Sequence, residues 1–132
     1  MNEYPVSTIK LKVYLEDTDA GGVVYHANYL KYMERARTDF IGHHGLERNY
    51  MLEGNKLFLV RKMDLSFHSP AFLDDELEAD AAVETIHKYA ATFKQQVIRP
   101  SDSKLLCSAY SQVVCVERVS KKLLPIPFYV AS

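Results

Sequence analysis

Apolar and polar side chains alternate over residues 6–15. Ile9, Leu11, Val13 and Leu15 fall on one side, and Thr8, Lys10, Lys12 and Tyr14 on the other. A period of two predicts a half-buried strand. The alternation stops at Glu16-Asp17-Thr18-Asp19-Ala20-Gly21-Gly22, an acidic, turn-rich stretch. Val23-Val24-Tyr25-His26 follows as a short apolar patch with a polar tip. Over 28–44 the period changes. Tyr29, Tyr32, Met33, Ala36 and Phe40 recur at helical spacing, Leu30 and Ile41 widen the stripe, and Lys31, Arg35, Thr38 and Asp39 face away. This predicts an amphipathic helix of about four turns, with Asn28 as N-cap and Gly45 as its stop. Residues 46–55 read as a second short helix or a loop.

Strand patterns fill the rest. Leu57, Leu59, Met63, Leu65 and Phe67 share one parity over 57–67. Ser69-Pro70 and Asp74-Asp75 mark turns. Residues 77–87 alternate Leu77, Ala79, Ala81 and Val83 against Glu78, Asp80 and Glu84. A hairpin near His87-Lys88 leads into 89–99, the turn Arg99-Pro100-Ser101-Asp102 follows, and 105–117 form the last strand. Pro125 and Pro127 forbid a regular continuation. There is no repeat, low-complexity tract or linker, so 1–132 read as a single domain. Strand, helix, then a meander of about four strands predicts an α+β fold, an antiparallel sheet with one helix on one face.

Composition narrows the class. The chain has 132 residues, 48% hydrophobic and 25% charged, with formal net charge −1. That excludes a disordered chain and a general nucleic-acid or membrane-surface binder. Five glycines and no G-x-G-x-x-G or G-x-x-x-x-G-K argue against a Gly-rich nucleotide fold. Cys107 and Cys115 lie eight residues apart on one predicted strand, roughly 26 Å between Cα atoms, so they cannot bridge. They read as buried apolar side chains. No signal peptide and no membrane span is visible, and a cytoplasmic protein is expected.

One segment could carry chemistry. In 16–28 three acids fall within four residues, beside two glycines and directly ahead of a helix. Paired glycines allow positive φ and close approach of a ligand to the main chain. A helix N-terminus offers unpaired N–H groups and partial positive charge. A carboxylate beside such an oxyanion-binding site suits acyl transfer. The alternative is an acidic helix entrance that serves only capping and solvation.

Residues 13–37, Val-Tyr-Leu-Glu-Asp-Thr-Asp-Ala-Gly-Gly-Val-Val-Tyr-His-Ala-Asn-Tyr-Leu-Lys-Tyr-Met-Glu-Arg-Ala-Arg, resemble the signature of the hotdog-fold acyl-CoA thioesterases. The likeness is greatest to the bacterial branch associated with the Tol–Pal cell-envelope system, and next to the 4-hydroxybenzoyl-CoA thioesterases. The resemblance implies a five-stranded antiparallel sheet wrapped around one long helix. It also implies a homodimer or homotetramer with sites at the dimer interface; envelope or acyl carrier protein partners and no cofactor are expected. It places the catalytic aspartate at Asp19 and the oxyanion donor at the His26 backbone N–H. Gly22 and Val23 lie in the turn between them. Tyr14-Leu15 departs from the more usual aromatic pair.

The neighbours carry two readings each. Asp17 either raises the pKa of Asp19 or holds the loop by hydrogen bonds. The His26 imidazole is either an acid–base group or a structural hydrogen-bonding group. Tyr25 and Asn28 line the site, or pack and cap. His43-His44 cannot share one ion, because adjacent helical residues point about 100° apart. His68 and His87 lack the spacing of a zinc site, so no metal is expected. The coenzyme A phosphates need cations. Arg61, Lys62 and Lys88 are candidates, as is the basic cluster Arg118, Lys121 and Lys122. No G-x-S-x-G is present. The reading is an acyl-CoA thioesterase. The alternatives are an acyl carrier protein thioesterase of the same fold and a non-catalytic acyl-CoA-binding or envelope-complex scaffold.

Overall fold

A computed structural model describes residues 4–43 and 55–129. His44, Gly45 and nearly all of the predicted 46–55 segment lie outside the described residues. The elements run β1 (Ser7–Lys12), α1 (Asn28–His43), β2 (Lys56–Phe67), β3 (Glu76–Ile86), β4 (Ala91–Arg99), β5 (Lys104–Glu117) and β6 (Leu123–Leu124). Five long strands form one antiparallel sheet in the order β1-β3-β4-β5-β2. The two-residue β6 pairs with β5 beyond the end of β4, just ahead of Pro125.

The apolar stripe of α1 packs on the inner sheet face. Tyr29, Tyr32, Met33, Ala36, Phe40 and Ile41 are all buried. Opposite them β3 presents Leu77, Ala79, Ala81 and Val83, and β4 presents Ala91, Phe93 and Val97. The alanines let the helix axis close on the sheet, and Phe40 meets Phe93 edge-on with 5.0 Å between ring centroids. Dense packing of this kind supplies the main driving force for folding.

Two strand patterns differ from the sequence reading. β1 ends at Lys12, not residue 15. Val13 still exchanges hydrogen bonds with Asp74 and Asp75. Then Asp17 N–H donates to the Tyr14 carbonyl at 2.9 Å and starts a single 3₁₀ turn. The turn breaks the parity, and Leu15 is 73% exposed. In β2 a bulge between Val60 and Lys62 shifts the register. Phe58 packs inward before it, Met63 and Leu65 after it. Leu57 and Leu59 therefore face the opposite side from Met63 and Leu65.

Among the described residues β2 is also the outer strand on its side of the sheet. Both cysteines are buried on β5 and unbridged. Burial pushes the Cys107 thiol up to about 11, so it stays protonated. Among the described residues no helix is long and apolar enough to cross a membrane.

Candidate active site

Residues 18–24 fold into a tight hairpin between β1 and α1. Thr18 and Val24 form an antiparallel bridge. Asp19 N–H donates to the Val23 carbonyl at 2.9 Å, and Gly22 N–H to the Asp19 carbonyl at 3.0 Å. Gly22 has φ of +81°, a conformation that side-chain-bearing residues rarely adopt. The hairpin is stitched to the β2–β3 loop: Val24 N–H donates to the Ala71 carbonyl, and Val23 bridges Phe72.

The two aspartates of the turn have different surroundings. Asp17 is tied on every side. Its carboxylate accepts the Tyr14 N–H at 2.8 Å and the Asn28 side-chain amide at 3.0 Å. Its carbonyl accepts Tyr25 N–H at 2.9 Å. Asp17 thus holds the loop to the helix, one of the two readings of its role above. Asp19 is exposed, and its carboxylate accepts one bond, from Gly21 N–H at 2.8 Å on Oδ1. Oδ2 accepts none from the described residues.

The helix start offers donors. Asn28 N–H donates to the Tyr25 carbonyl and Tyr29 N–H to the His26 carbonyl. The N–H groups of His26 and Ala27 precede these and make no hydrogen bond among the described residues. Asn28 is the first helical residue, not the N-cap, and its side-chain amide is spent on Asp17. The exposed Tyr25 ring lies 4.4 Å from the His26 ring, and Phe67 meets both His26 and Tyr29. The result is an aromatic rim around the helix N-terminus.

Three residues gain roles that the sequence reading did not give them. Tyr32 is buried beside Asp17, its hydroxyl without a hydrogen bond of good geometry. Burial, then the Asp17 charge, pushes its ionisation well above the usual phenol range. Arg99 donates from Nη1 to the Pro70 carbonyl and Asp75, and from Nε and Nη2 to Asp102, clamping the loop that receives Val23 and Val24. Its signal was the Arg-x-x-Asp spacing of the 99–102 turn. Arg37 is buried on the apolar stripe, where eight residues after Tyr29 and four after Met33 mark an inward position.

Asp19, Gly22, Val23, Tyr25, His26 and Asn28 come together at one end of the molecule. Arg61 and Lys88 do not join them. Arg61 is exposed at the β2 bulge, and Lys88 is exposed in the β3–β4 hairpin. The 11 residues of β3 put that hairpin about 33 Å from the Glu76 end that the Asp19 loop adjoins. Among the described residues no group of His, Cys, Asp and Glu could hold a metal ion.

One long helix laid on an antiparallel sheet is the hotdog fold, and here a carboxylate-bearing hairpin stands at the helix N-terminus. The chain belongs to the Thioesterase-like superfamily, which residues 13–132 match. It is 38% identical over 117 residues to the acyl-CoA thioester hydrolase YbgC of Escherichia coli O6:H1, covering 89% of this chain and 87% of that protein. It is 36% identical over 119 residues to the acyl-CoA thioesterase YbgC of Haemophilus influenzae, covering 89% and 85%. The fold is that of the DHNA-CoA thioesterase of Staphylococcus aureus, at 20% identity with a TM-score of 0.85 over 94% of this chain and 83% of that one.

Proposed function

We propose that this chain hydrolyses acyl-CoA thioesters to a free acid and coenzyme A, with Asp19 and the helix start as its machinery. The observation that carries the reading is the pairing of unspent groups. Asp19 keeps a free carboxylate oxygen, and the His26 and Ala27 N–H groups keep free donors, on one hairpin that runs into α1. The thioester oxygen gains negative charge as its carbonyl carbon becomes tetrahedral. Fixed N–H donors at a helix N-terminus stabilise that charge. Asp19 acts in one of two ways. Its oxygen attacks the carbonyl carbon, the C–S bond breaks, thiolate departs and water cleaves the resulting anhydride. Or it takes a proton from a water that attacks instead. Both routes use the same two groups. Incorporation of ¹⁸O from labelled water into Asp19 during turnover identifies the anhydride route with water attacking the aspartyl carbonyl, and trapping of an acyl-enzyme by hydroxylamine identifies it whichever carbonyl water attacks.

The active form is a homo-oligomer with a homodimer as its unit. β2 is 12 residues long, has no partner strand on its outer side among the described residues, and exposes Leu59, Val60 and Phe67 by 43%, 45% and 55%. Such an edge invites pairing with a second copy. The other edge, β1, has only six residues and carries Lys10 and Lys12. Antiparallel pairing of two β2 strands sets the far end of each sheet beside the other copy's Asp19 hairpin. Arg61 and Lys88 then serve the coenzyme A phosphates of the second copy's site, which one chain alone does not allow.

A thiol-release assay across acyl-CoA chain lengths and aromatic acyl groups tests the activity, with matched acyl carrier protein thioesters as the competing substrates. Turnover with acyl-CoA is expected. Turnover with acyl carrier protein substrates alone, or none at all, overturns the reading. Sedimentation tests the assembly: a stable species of about 30 kDa or larger is expected from the 15.1 kDa chain, and a monomer contradicts it.

A further inference from the structure

Arg37 sits in the middle of α1, on its apolar stripe, and is only 7% exposed. Its guanidinium meets no carboxylate within ion-pair distance among the described residues. One nitrogen, Nη1, donates to Gln95 Oε1 at 2.9 Å and to Ser111 Oγ at 3.5 Å. Those partners are neutral, fully buried and satisfied elsewhere. Ser111 Oγ also donates to Gln95 Oε1, and the Gln95 amide donates to the Met33 and Asp80 carbonyls. Nε and Nη2 make no hydrogen bond among the described residues. They form the edge of the guanidinium that matches a carboxylate with two parallel bonds. A buried charge is costly unless it is paired, and among the described residues this one holds its place by neutral hydrogen bonds, with only the exposed Glu34 carboxylate one turn back to favour it.

Arg37 lines a cavity of about 70 Å³ between α1 and β2. The other walls include Glu34, Thr38, Ile41, Phe58, Val60 and Val113. A single water needs roughly 10–15 Å³ by the same measure, so a carboxyl-sized group fits. The walls are apolar apart from Arg37, Thr38 and the exposed Glu34, the one acid among them. The β2 strand of a second copy brings no acid to this face. Asp64 is the only acid of β2, and it lies on the opposite sheet face, in a groove with Lys62, Tyr110 and Gln112. Along the helix Arg37 is 11 residues from His26, about 16 Å. The cavity therefore lies within reach of an acyl group whose carbonyl sits at the start of α1.

We propose that the Arg37 cavity is a carboxylate-binding subsite, and that it takes the distal carboxylate of an ω-carboxyacyl thioester whose reactive carbonyl sits at the start of α1. The second half rests on the thioesterase reading above; the first does not. The free guanidinium edge supplies two charge-assisted bonds, and the apolar walls strengthen them by excluding water. The subsite names a substrate class: acyl groups with a second acid at the end remote from sulfur.

The test compares plain acyl-CoA with ω-carboxyacyl-CoA over a series of matched lengths. It adds thermal protection by free dicarboxylates such as glutarate and adipate. Wild type is expected to favour the ω-carboxy thioester at one length by about tenfold or more in kcat/KM. In Arg37→Gln and in Arg37→Lys, both checked for folding by circular dichroism, that ratio falls towards one. Arg37→Lys keeps the charge and loses the fork, so it reports on the subsite even where Arg37→Gln does not fold. Protection of wild type by a dicarboxylate, lost in Arg37→Lys, supports the subsite. Protection without any ω-carboxy preference supports the cavity but overturns its assignment to the substrate's tail. Hydrolysis of plain acyl-CoA with neither preference nor protection overturns the subsite and leaves the thioesterase reading standing. Protection without hydrolysis of any thioester does the reverse.

Discussion

The two ends of the acidic turn carry the same side chain to opposite fates. At one end Asp17 spends both carboxylate oxygens and its carbonyl on the backbone of Tyr14 and Tyr25 and on the Asn28 amide. At the other, Asp19 stands on the tip of the hairpin with one oxygen on Gly21 N–H and one free. A carboxylate saturated by protein donors fixes geometry. One that keeps an unspent oxygen next to open donors has chemistry left to do. The same contrast recurs along α1. The His26 and Ala27 N–H groups just ahead of it are open, while Arg37 further along has Nη1 on neutral partners and makes no hydrogen bond from Nε or Nη2 among the described residues.

This contrast can be broken in graded steps. The largest effect belongs to Asp19→Asn, which keeps the shape but removes the base or nucleophile. Turnover is expected to fall at least about 10²-fold, with KM near wild type, in thiol-release kinetics. Gly21→Ala comes next. A Cβ there would lie 3.2 Å from Asp19 Oδ1, tighter than ordinary contact, and it would displace the carboxylate. A loss of roughly tenfold in kcat is expected from a misplaced reacting group, with an unchanged melting temperature. Asp17→Asn sharpens the opposite side. It loses a charge-assisted bond at the helix start and about 1–2 kcal/mol of stability by denaturant titration. His26→Ala is smaller still, within about threefold in kcat if the backbone N–H alone does the work. A loss matching that of Asp19→Asn would assign the imidazole a part.

The smallest effect is on acid stability. Its hydrogen bonds to Arg99 hold the Asp102 carboxyl below the usual range. A depressed folded pKa stabilises above the unfolded value, about 4, and that contribution is lost as pH falls through the folded value. Asp80 has the opposite sign, because burial raises its pKa and costs stability as it ionises. Arg99→Gln leaves Asp80 in place and removes the Asp102 contribution. The fall in stability below about pH 4 should therefore be shallower in the variant. An unchanged pH slope would remove the clamp from the account.

Much of this was legible in the chain. The helix stripe over Tyr29, Tyr32, Met33, Ala36 and Phe40 and the meander that follows appear where their periods put them. Parity failed where backbone geometry intervened. The 3₁₀ turn at Leu15 and the bulge after Val60 each add a local rotation that alternation cannot signal. Asn28 was misplaced by one position, since an N-cap and a first-turn residue share the same preference for polar side chains. Arg37 was invisible because a charge on an apolar stripe reads as an exception until its partners are seen. Composition and charge treat Asp17 and Asp19 alike; the resemblance chose Asp19, and the hydrogen bonds give the two carboxylates different surroundings.

The proposed chemistry depends on that difference, and one ratio measures it. Asp17→Asn and Asp19→Asn are prepared side by side, confirmed folded by circular dichroism, and assayed for thiol release at saturating acyl-CoA. Turnover of Asp17→Asn should exceed that of Asp19→Asn by about tenfold or more. A ratio of one would reduce the turn to an acidic helix entrance, and a ratio below one would move the chemistry from Asp19 to Asp17.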